Sequence, residues 1–482
     1  MKYNSTRGNK AVTPQQAIIQ SIAEDGGLFI NEKISDVRFT TEMLLQLDPF
    51  DISAIILNAL LPGFEDMRGL VEKAYAGKFK SEQLTPLVEV GKDFVLELFH
   101  GPTSAFKDVA LCMLPQLMTS AKKSLGIDEE ITILTATSGD TGKAALSGFA
   151  DVDGVNICVF YPNGGVSAVQ KAQMVTQEGK NVHVCAVNGN FDDCQTAVKK
   201  AFAELKNEEG IRLSSANSIN IGRLAPQVVY YFLAYKQLLE SQRIQMDDVV
   251  DFVVPTGNFG DILAGFYAKC LGLPVGKLIC ASNENNVLSD FFKTGVYDKN
   301  REFYKTTSPS MDILVSSNLE RLIYLACDAD YRTVSDYMTQ LSTTGKYKAN
   351  DKIMGRLRAI FGADYATADE VSATIDKYYK EYNYLMDPHT AVAFAVREKM
   401  QLKNRCVVLS TASPYKFPEA VLKAIGAKPA GDEFEQILQL EDLTGVIAPE
   451  NLKNLNGKPV LHTDVIEKDE INKYVVGLFK KK

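Results

Sequence analysis

From residue 131 onward, short β-branched apolar runs alternate with stretches that carry apolar residues at helical spacing. This alternation constrains the fold more than any other feature. Strands in such a rhythm lie parallel, and each return crosses the sheet by a helix in the right-handed sense. "ITILTAT" (131–137), "VNICVFY" (155–161) and "NVHVCAV" (181–187) read as buried strands. "GKAALSGFA" and "SAVQKAQMVTQEG", the second ending at Gly179, read as the helices between them. In the next helix Cys194, Ala197, Val198, Ala201, Phe202 and Leu205 form one apolar face. A second block repeats the pattern, with strands at 249–256, 277–282 and 405–412 and helices at 262–272 and 418–426. Residues 318–385 read as helix-rich and polar-faced. The expected architecture is α/β: two open twisted-sheet lobes, 96–235 and 236–430, the second with a helical insertion. An N-terminal region (1–95) precedes them and a short C-terminal tail (431–482) follows.

Composition narrows the partners. The net charge is -8 and no basic block stands out, which argues against nucleic acid or an anionic membrane. No run approaches the ~18 apolar residues of a membrane span, and "MKYNSTRGNKAVTPQ" lacks a hydrophobic signal region. Eight cysteines without a C-x-x-C pair, and only four histidines, disfavour a metal site. Cysteines inside apolar runs such as "NICVF" pack well as reduced thiols, so a cytoplasmic location is expected.

Three strand-to-helix turns carry polar chemistry. "TSGDTG" (137–142) offers glycines, hydroxyls and the free N–H groups of a helix start, an anion-binding combination. It reads first as an ordinary polar turn in which Asp140 or Thr141 caps the helix. "PTGNFGD" (255–261) lacks the lysine ending of a P-loop and the dinucleotide glycine spacing, so a phosphate without a nucleotide fits it better. Its alternative is a tight turn with Asp261 as N-cap. "LSTASP" (409–414) ends a strand, where open parallel sheets bind ligands, although serine and threonine are ordinary turn formers too.

"FHGPTSAFKD" (99–108) then stands out, because from Leu98 to Ala121 the only formal charges are Lys107 and Asp108. A lysine in apolar surroundings can lose its proton and act as an amine nucleophile, although a snorkelling or salt-bridged lysine is the more usual outcome. An amine combined with a phosphate turn and a second anion turn suggests a Schiff base to pyridoxal phosphate.

The ordered set of motifs resembles the long-form threonine synthases of enterobacteria and yeast, within the fold type II group of pyridoxal-phosphate enzymes. That group includes the tryptophan synthase β chain and threonine dehydratase. "STRG", "DGGLFI" (25–30), "FHGPTSAFKD", "TSGDTG", "NSIN" with Arg223, "GNFGD", "DPHTA" (387–391) and "TASPYKF" (411–417) carry the resemblance over most of the chain. It implies a fold of the tryptophan synthase β type and conversion of O-phospho-L-homoserine and water to L-threonine and phosphate. It also implies that Lys107 binds the cofactor and acts as base. Gly257, Asn258, Phe259 and Asp261 would hold the cofactor phosphate, largely through backbone N–H groups. Thr411 would contact the pyridine nitrogen, with Ser413 as its competitor where related enzymes have histidine. Ser138, Asp140 and Thr141 would bind the substrate carboxylate, and Asn220 and Arg223 the substrate, with a surface arginine as the alternative for Arg223. His389 could be catalytic, although Asp-Pro ahead of an apolar run reads first as a helix start. A small-molecule substrate and a monomer or small homo-oligomer are expected. The rival activities are a phospho-lyase that releases a 2-oxo acid and ammonia, and a non-catalytic pyridoxal-phosphate-binding protein.

Overall fold

The computed structural model describes residues 2–137, 139–205, 208 and 210–480. Its two principal sheets use, in chain order, β1 (Leu87–Val90), β2 (Asp93–Glu97), β3 (Ile131–Ala136), β4 (Val155–Pro162), β5 (Val182–Asn188) and β6 (Arg212–Ser214). The remaining strands are β7 (Val250–Pro255), β8 (Val275–Ser282), β9 (Phe361–Tyr365), β10 (Arg405–Ser410) and β11 (Asp464–Glu467). The larger sheet runs β9-β8-β7-β10-β2-β1 and is parallel except for β1. The smaller runs β11-β5-β4-β3-β6 and is parallel throughout. Both match the alternating pattern of the sequence, and every residue of β3, β4 and β7 is buried, as expected of strands covered on both faces.

The strands cross the expected segment boundaries. β2 spans the boundary at 95 and pairs with β10, so it joins the sheet of the second lobe. β11, from the tail, pairs with β5 and closes that edge of the smaller sheet. β9 lies inside the stretch expected to be helix-rich. It is a short parallel edge strand whose neighbour, β8, is distant in sequence, so nothing local announces it.

Five helices position the site: α1 (Lys107–Ser124), α2 (Asp140–Phe149), α3 (Ile221–Glu240), α4 (Gly260–Cys270) and α5 (Pro388–Lys399). α3 is buried along nearly its whole length, and α1 packs against both α2 and α3. The N-terminal strands Tyr3–Ser5, Ala11–Val12 and Phe29–Ile30 form a small sheet of their own. That sheet is tied to the body by Arg7, whose guanidinium donates to both carboxylate oxygens of Glu320 at 2.8 and 2.7 Å. Among the described residues no helix is long and apolar enough to cross a membrane.

Candidate active site

Three of the turns at the site leave the C-terminal ends of parallel strands, the place where open α/β sheets bind ligands. β3 leads into Thr137 and, beyond it, Gly139 and Asp140, β7 into 256–260 and β10 into 411–414. The fourth segment, 99–106, follows β2 and is stitched to the β10 turn. Leu98 N donates to Ser410 O at 2.9 Å, Phe106 N to Thr411 O at 2.8 Å and Ser413 N to Ser104 O at 3.1 Å. Ala105 and Ala412 form an isolated bridge. Lys107 thereby opens α1 beside Thr411, and both line one cavity of about 2340 Å³ between the sheets.

Lys107 is buried, with its ammonium 4.6 Å from the Phe106 ring centre, 3.5 Å from Ser310 Oγ and 3.8 Å from Asp140 Oδ2. Burial pulls its pKa down to about 8; Asp140 opposes that fall, while Lys416 and Arg223 add to it. About a tenth of the amine is then neutral at pH 7, far more than for an ordinary lysine. Lys143, in the first turn of α2, donates to Gln177 Oε1 at 2.5 Å and does not line the cavity.

Asp140 and Asp261 are not the helix caps that a local reading offers. The N-cap of α2 is Gly139, at φ 138, and that of α4 is Phe259, at φ 62; neither helix has a side-chain cap. An uncapped start leaves N–H groups free and a partial positive charge facing the cavity. Among the described residues, the amides of 257–261 make no hydrogen bond, nor do those of Asp140 and Thr141. Phe259 holds its left-handed backbone, a cost of about 1–2 kcal/mol for a non-glycine residue, with its ring packed against Phe292 and Phe361. A Cβ on Gly257 would lie 2.7 Å from Ser310 O. These amides, and the close approach at Gly257, fit the phosphate of pyridoxal phosphate.

The Asp261 side chain turns away into the protein, where Tyr230 and Tyr231 donate to Oδ1 and Oδ2 is left without a partner. Burial raises its pKa to about 7, against the lowering effect of both tyrosines and Lys107. Its contribution to an anion site is therefore its backbone amide. Thr411 lines the cavity, whereas the Ser413 hydroxyl accepts from Tyr415 N at 3.4 Å and Ser413 is not part of the cavity wall.

Arg223 is a buried residue, not a surface arginine. It is 3 % exposed, donates from Nη1 to Ala216 O, and leaves Nε unpartnered. Burial lowers its pKa to about 10, and among the described residues no carboxylate pairs with it. A buried cation lining a cavity without a counter-ion is suited to an incoming anion. Asn220 departs from the expectation. It is fully buried and outside the cavity wall, and it donates to Ile18 O and Ser215 O, both at 3.0 Å, while accepting from Gly222 N at 2.9 Å. It caps α3. Ser138 lies outside the described residues.

His389, and two residues beyond the expected set, Lys416 and Ser310, complete the wall. Lys416 Nζ lies 2.8 Å from Asp140 Oδ1, and with Lys107 it holds that carboxyl well below the usual carboxylate range despite burial. His389 Nε2 accepts from Ser310 N at 3.3 Å, so the proton sits on Nδ1, 2.6 Å from Asp387 Oδ2. His389 is thus part of a helix start and of the cavity wall at once. Ser310 joins these groups, with its hydroxyl 3.4 Å from Asp140 Oδ2. Its segment is pinned by Asp312, whose carboxylate accepts from Asn283, Asn285 and Thr306. A lone lysine in the mostly apolar "TASPYKFPEAVL" signals Lys416 just as it signals Lys107, whereas Ser310 has no local signal at all.

Comparison with known proteins gives three family matches: "Pyridoxal-phosphate dependent enzyme" over residues 79–341, "Threonine synthase N terminus" over 2–75 and "Threonine synthase, C-terminal" over 390–465. The chain is 40% identical to threonine synthase of Pseudomonas aeruginosa, with 89% of this chain and 92% of that one aligned. It is 37% identical to human threonine synthase-like 1 over 94% of its own length but only 62% of that protein's. The structure of PLP-bound threonine synthase from Brucella melitensis has a TM-score of 0.88 and 38% identity, covering 100% of this chain and 99% of that one. The yeast threonine synthase structure has a TM-score of 0.88 and 34% identity, with the same coverage.

Proposed function

Since the chain belongs to the threonine synthase family of pyridoxal-phosphate-dependent enzymes, we propose that it converts O-phospho-L-homoserine and water to L-threonine and phosphate. The observation that carries this reading is the buried amine of Lys107, set among separate sites for anions: two uncapped helix starts and Arg223, which has no carboxylate partner among the described residues. A cofactor phosphate, a substrate carboxylate and a substrate phosphate require that many.

The amides of 257–261 would hold the phosphate of pyridoxal phosphate, the Thr411 hydroxyl would offer a hydrogen bond to its ring, and the Lys107 amine would bind its aldehyde end. Bound there, pyridoxal phosphate supplies an electron sink for the charge that develops at the substrate Cα. The Lys107 amine would take the substrate Cα proton, a task suited to a group whose pKa lies near 8. The amides of Asp140 and Thr141 bind the substrate carboxylate, and Lys416 offsets the repulsion between that anion and the Asp140 side chain. Arg223 binds the phosphate that leaves Cγ, so the charge that develops on the leaving group meets a fixed cation. The 304–312 segment covers Lys107 and limits water to what the addition at Cβ consumes. A small-molecule substrate, a cytoplasmic setting and a monomer or small homo-oligomer belong to the same reading.

The test is incubation of the holoenzyme with O-phospho-L-homoserine, with threonine, phosphate, 2-oxobutanoate and ammonia quantified together. Threonine and phosphate in equal amounts is the expected result. Phosphate accompanied by the 2-oxo acid and ammonia would make the protein a phospho-lyase. Binding of cofactor without turnover would leave it a non-catalytic binder.

A further inference from the structure

Asp140 stands between two lysines. Lys416 Nζ contacts Oδ1 at 2.8 Å, and Lys107 Nζ lies 3.8 Å from Oδ2. The Lys416 side chain is 0% exposed, and its other contact is Thr103 O at 3.1 Å, so it is enclosed by the protein. Gln170 Nε2 also donates to Oδ1, at 3.2 Å. The two oxygens of Asp140 are therefore divided: one is fully engaged by the scaffold, and the other faces the reactive amine loosely.

The charge count explains the arrangement. In its work Lys107 must alternate between neutral amine and ammonium. With one buried carboxylate and one lysine, the neutral state would strand the carboxylate without a counter-ion, which is costly. Asp140 would then hold Lys107 as an ammonium. With Lys416 present, Asp140 stays paired whichever state Lys107 adopts. We propose that Lys416 is a positioning residue for the reaction: its fixed pair with Asp140 keeps that carboxylate from capturing Lys107, and so keeps Lys107 available as a neutral amine.

Other charged groups near Lys107 also act on its ionisation, and one of them, Asp108, feels Lys416 as well. Arg223, from α3, lowers the Lys107 pKa, and Asp108, on the same helix as Lys107, raises it. Asp108 is itself held by Thr103, through N at 2.8 Å and Oγ1 at 2.5 Å. Asp261, on α4, interacts with Lys107 from the phosphate side, and His389, on α5, faces Asp140. Lys416 adds directly to the lowering of Lys107, so its removal acts twice in one direction: a repelling cation is lost and Asp140 is released.

The inference rests on the assignment of Lys107 as the cofactor amine, and its test can fail separately from that assignment. In full-length apoprotein, the ionisation of Lys107 is read from the pH dependence of its acetylation by limiting acetic anhydride, quantified by peptide mass spectrometry. The wild-type midpoint should lie near 8. Lys416→Met should raise it by about one pH unit or more, so that reactivity at pH 7 falls about tenfold. Lys416→Arg should restore the wild-type midpoint, because a guanidinium still pairs with Asp140. Adding Asp140→Asn to Lys416→Met should bring the midpoint back to the wild-type value or below. A folded Lys416→Met protein with an unmoved midpoint overturns the proposal. Should Lys416→Met not fold, Asp140→Asn alone decides: the midpoint must drop below wild type, and an unchanged one overturns the proposal. A cofactor adduct on a different lysine strikes the assignment of Lys107 instead.

Discussion

At the scale of single residues, space and charge do different work on the two sides of the phosphate turn. Gly257 is required for space, since an added Cβ would meet Ser310 O at 2.7 Å. Gly257→Ala should therefore push the 309–311 segment outward and weaken pyridoxal phosphate binding about tenfold or more, read by absorbance titration of the apoprotein. Unchanged affinity in a folded variant would reduce 255–261 to an ordinary turn. Asp261 concerns charge. Its carboxyl holds a proton up to about pH 7 when folded, against about 4 when unfolded. The stability it contributes is complete below the unfolded value and is lost as the pH rises through 7. Asp261→Asn keeps an acceptor for Tyr230 and Tyr231 and cannot ionise. In the apoprotein at pH 8 it should melt about 2 °C or more above wild type, with little difference near pH 4. Equal melting at both pH values would show that the Asp261 carboxyl does not ionise at a cost.

At the scale of elements, the strands β3, β4, β5, β7, β8 and β10 were legible within a residue or two because each is a short apolar run between turn signals. Edge strands were not: β6, β9 and β11 are short, and their pairing depends on partners far away in sequence. The helix starts were legible as anion turns, but their caps were not. Which residue caps a helix depends on backbone angles, and both starts use positions, Gly139 and Phe259, whose angles the sequence does not display. Asn220 takes a place in the structure that the sequence does not display, for a related reason. Its motif resembles a substrate contact, yet its position at the start of α3 makes it a buried cap. Asn220→Ala should cost about 1–3 kcal/mol of stability, from the lost cap and the orphaned carbonyls. The Km for O-phospho-L-homoserine should change little in protein that remains folded. A large rise in Km with unchanged melting would return Asn220 to the substrate site.

At the scale of the whole molecule, the site is assembled from segments about 300 residues apart that meet at one amine. The 99–108 segment and the β10 turn are joined by backbone pairing. Asp140, from the smaller sheet, is tied to Lys416, from the larger, so the principal ion pair of the site also links the two sheets. Lys107 stands out in the sequence as a lysine in an apolar stretch and 255–261 as a glycine turn after a strand, whereas the role proposed for Thr411 comes from the family resemblance. Ser310 does not stand out, because only the path of the 299–318 segment over the cavity gives it a role. The most direct measurement of this convergence is borohydride reduction of the holoenzyme, followed by peptide mapping of the pyridoxyl label. Label on Lys107 is the expected result; label on Lys143, Lys416 or any other lysine would contradict the placement of the chemistry where the turns meet.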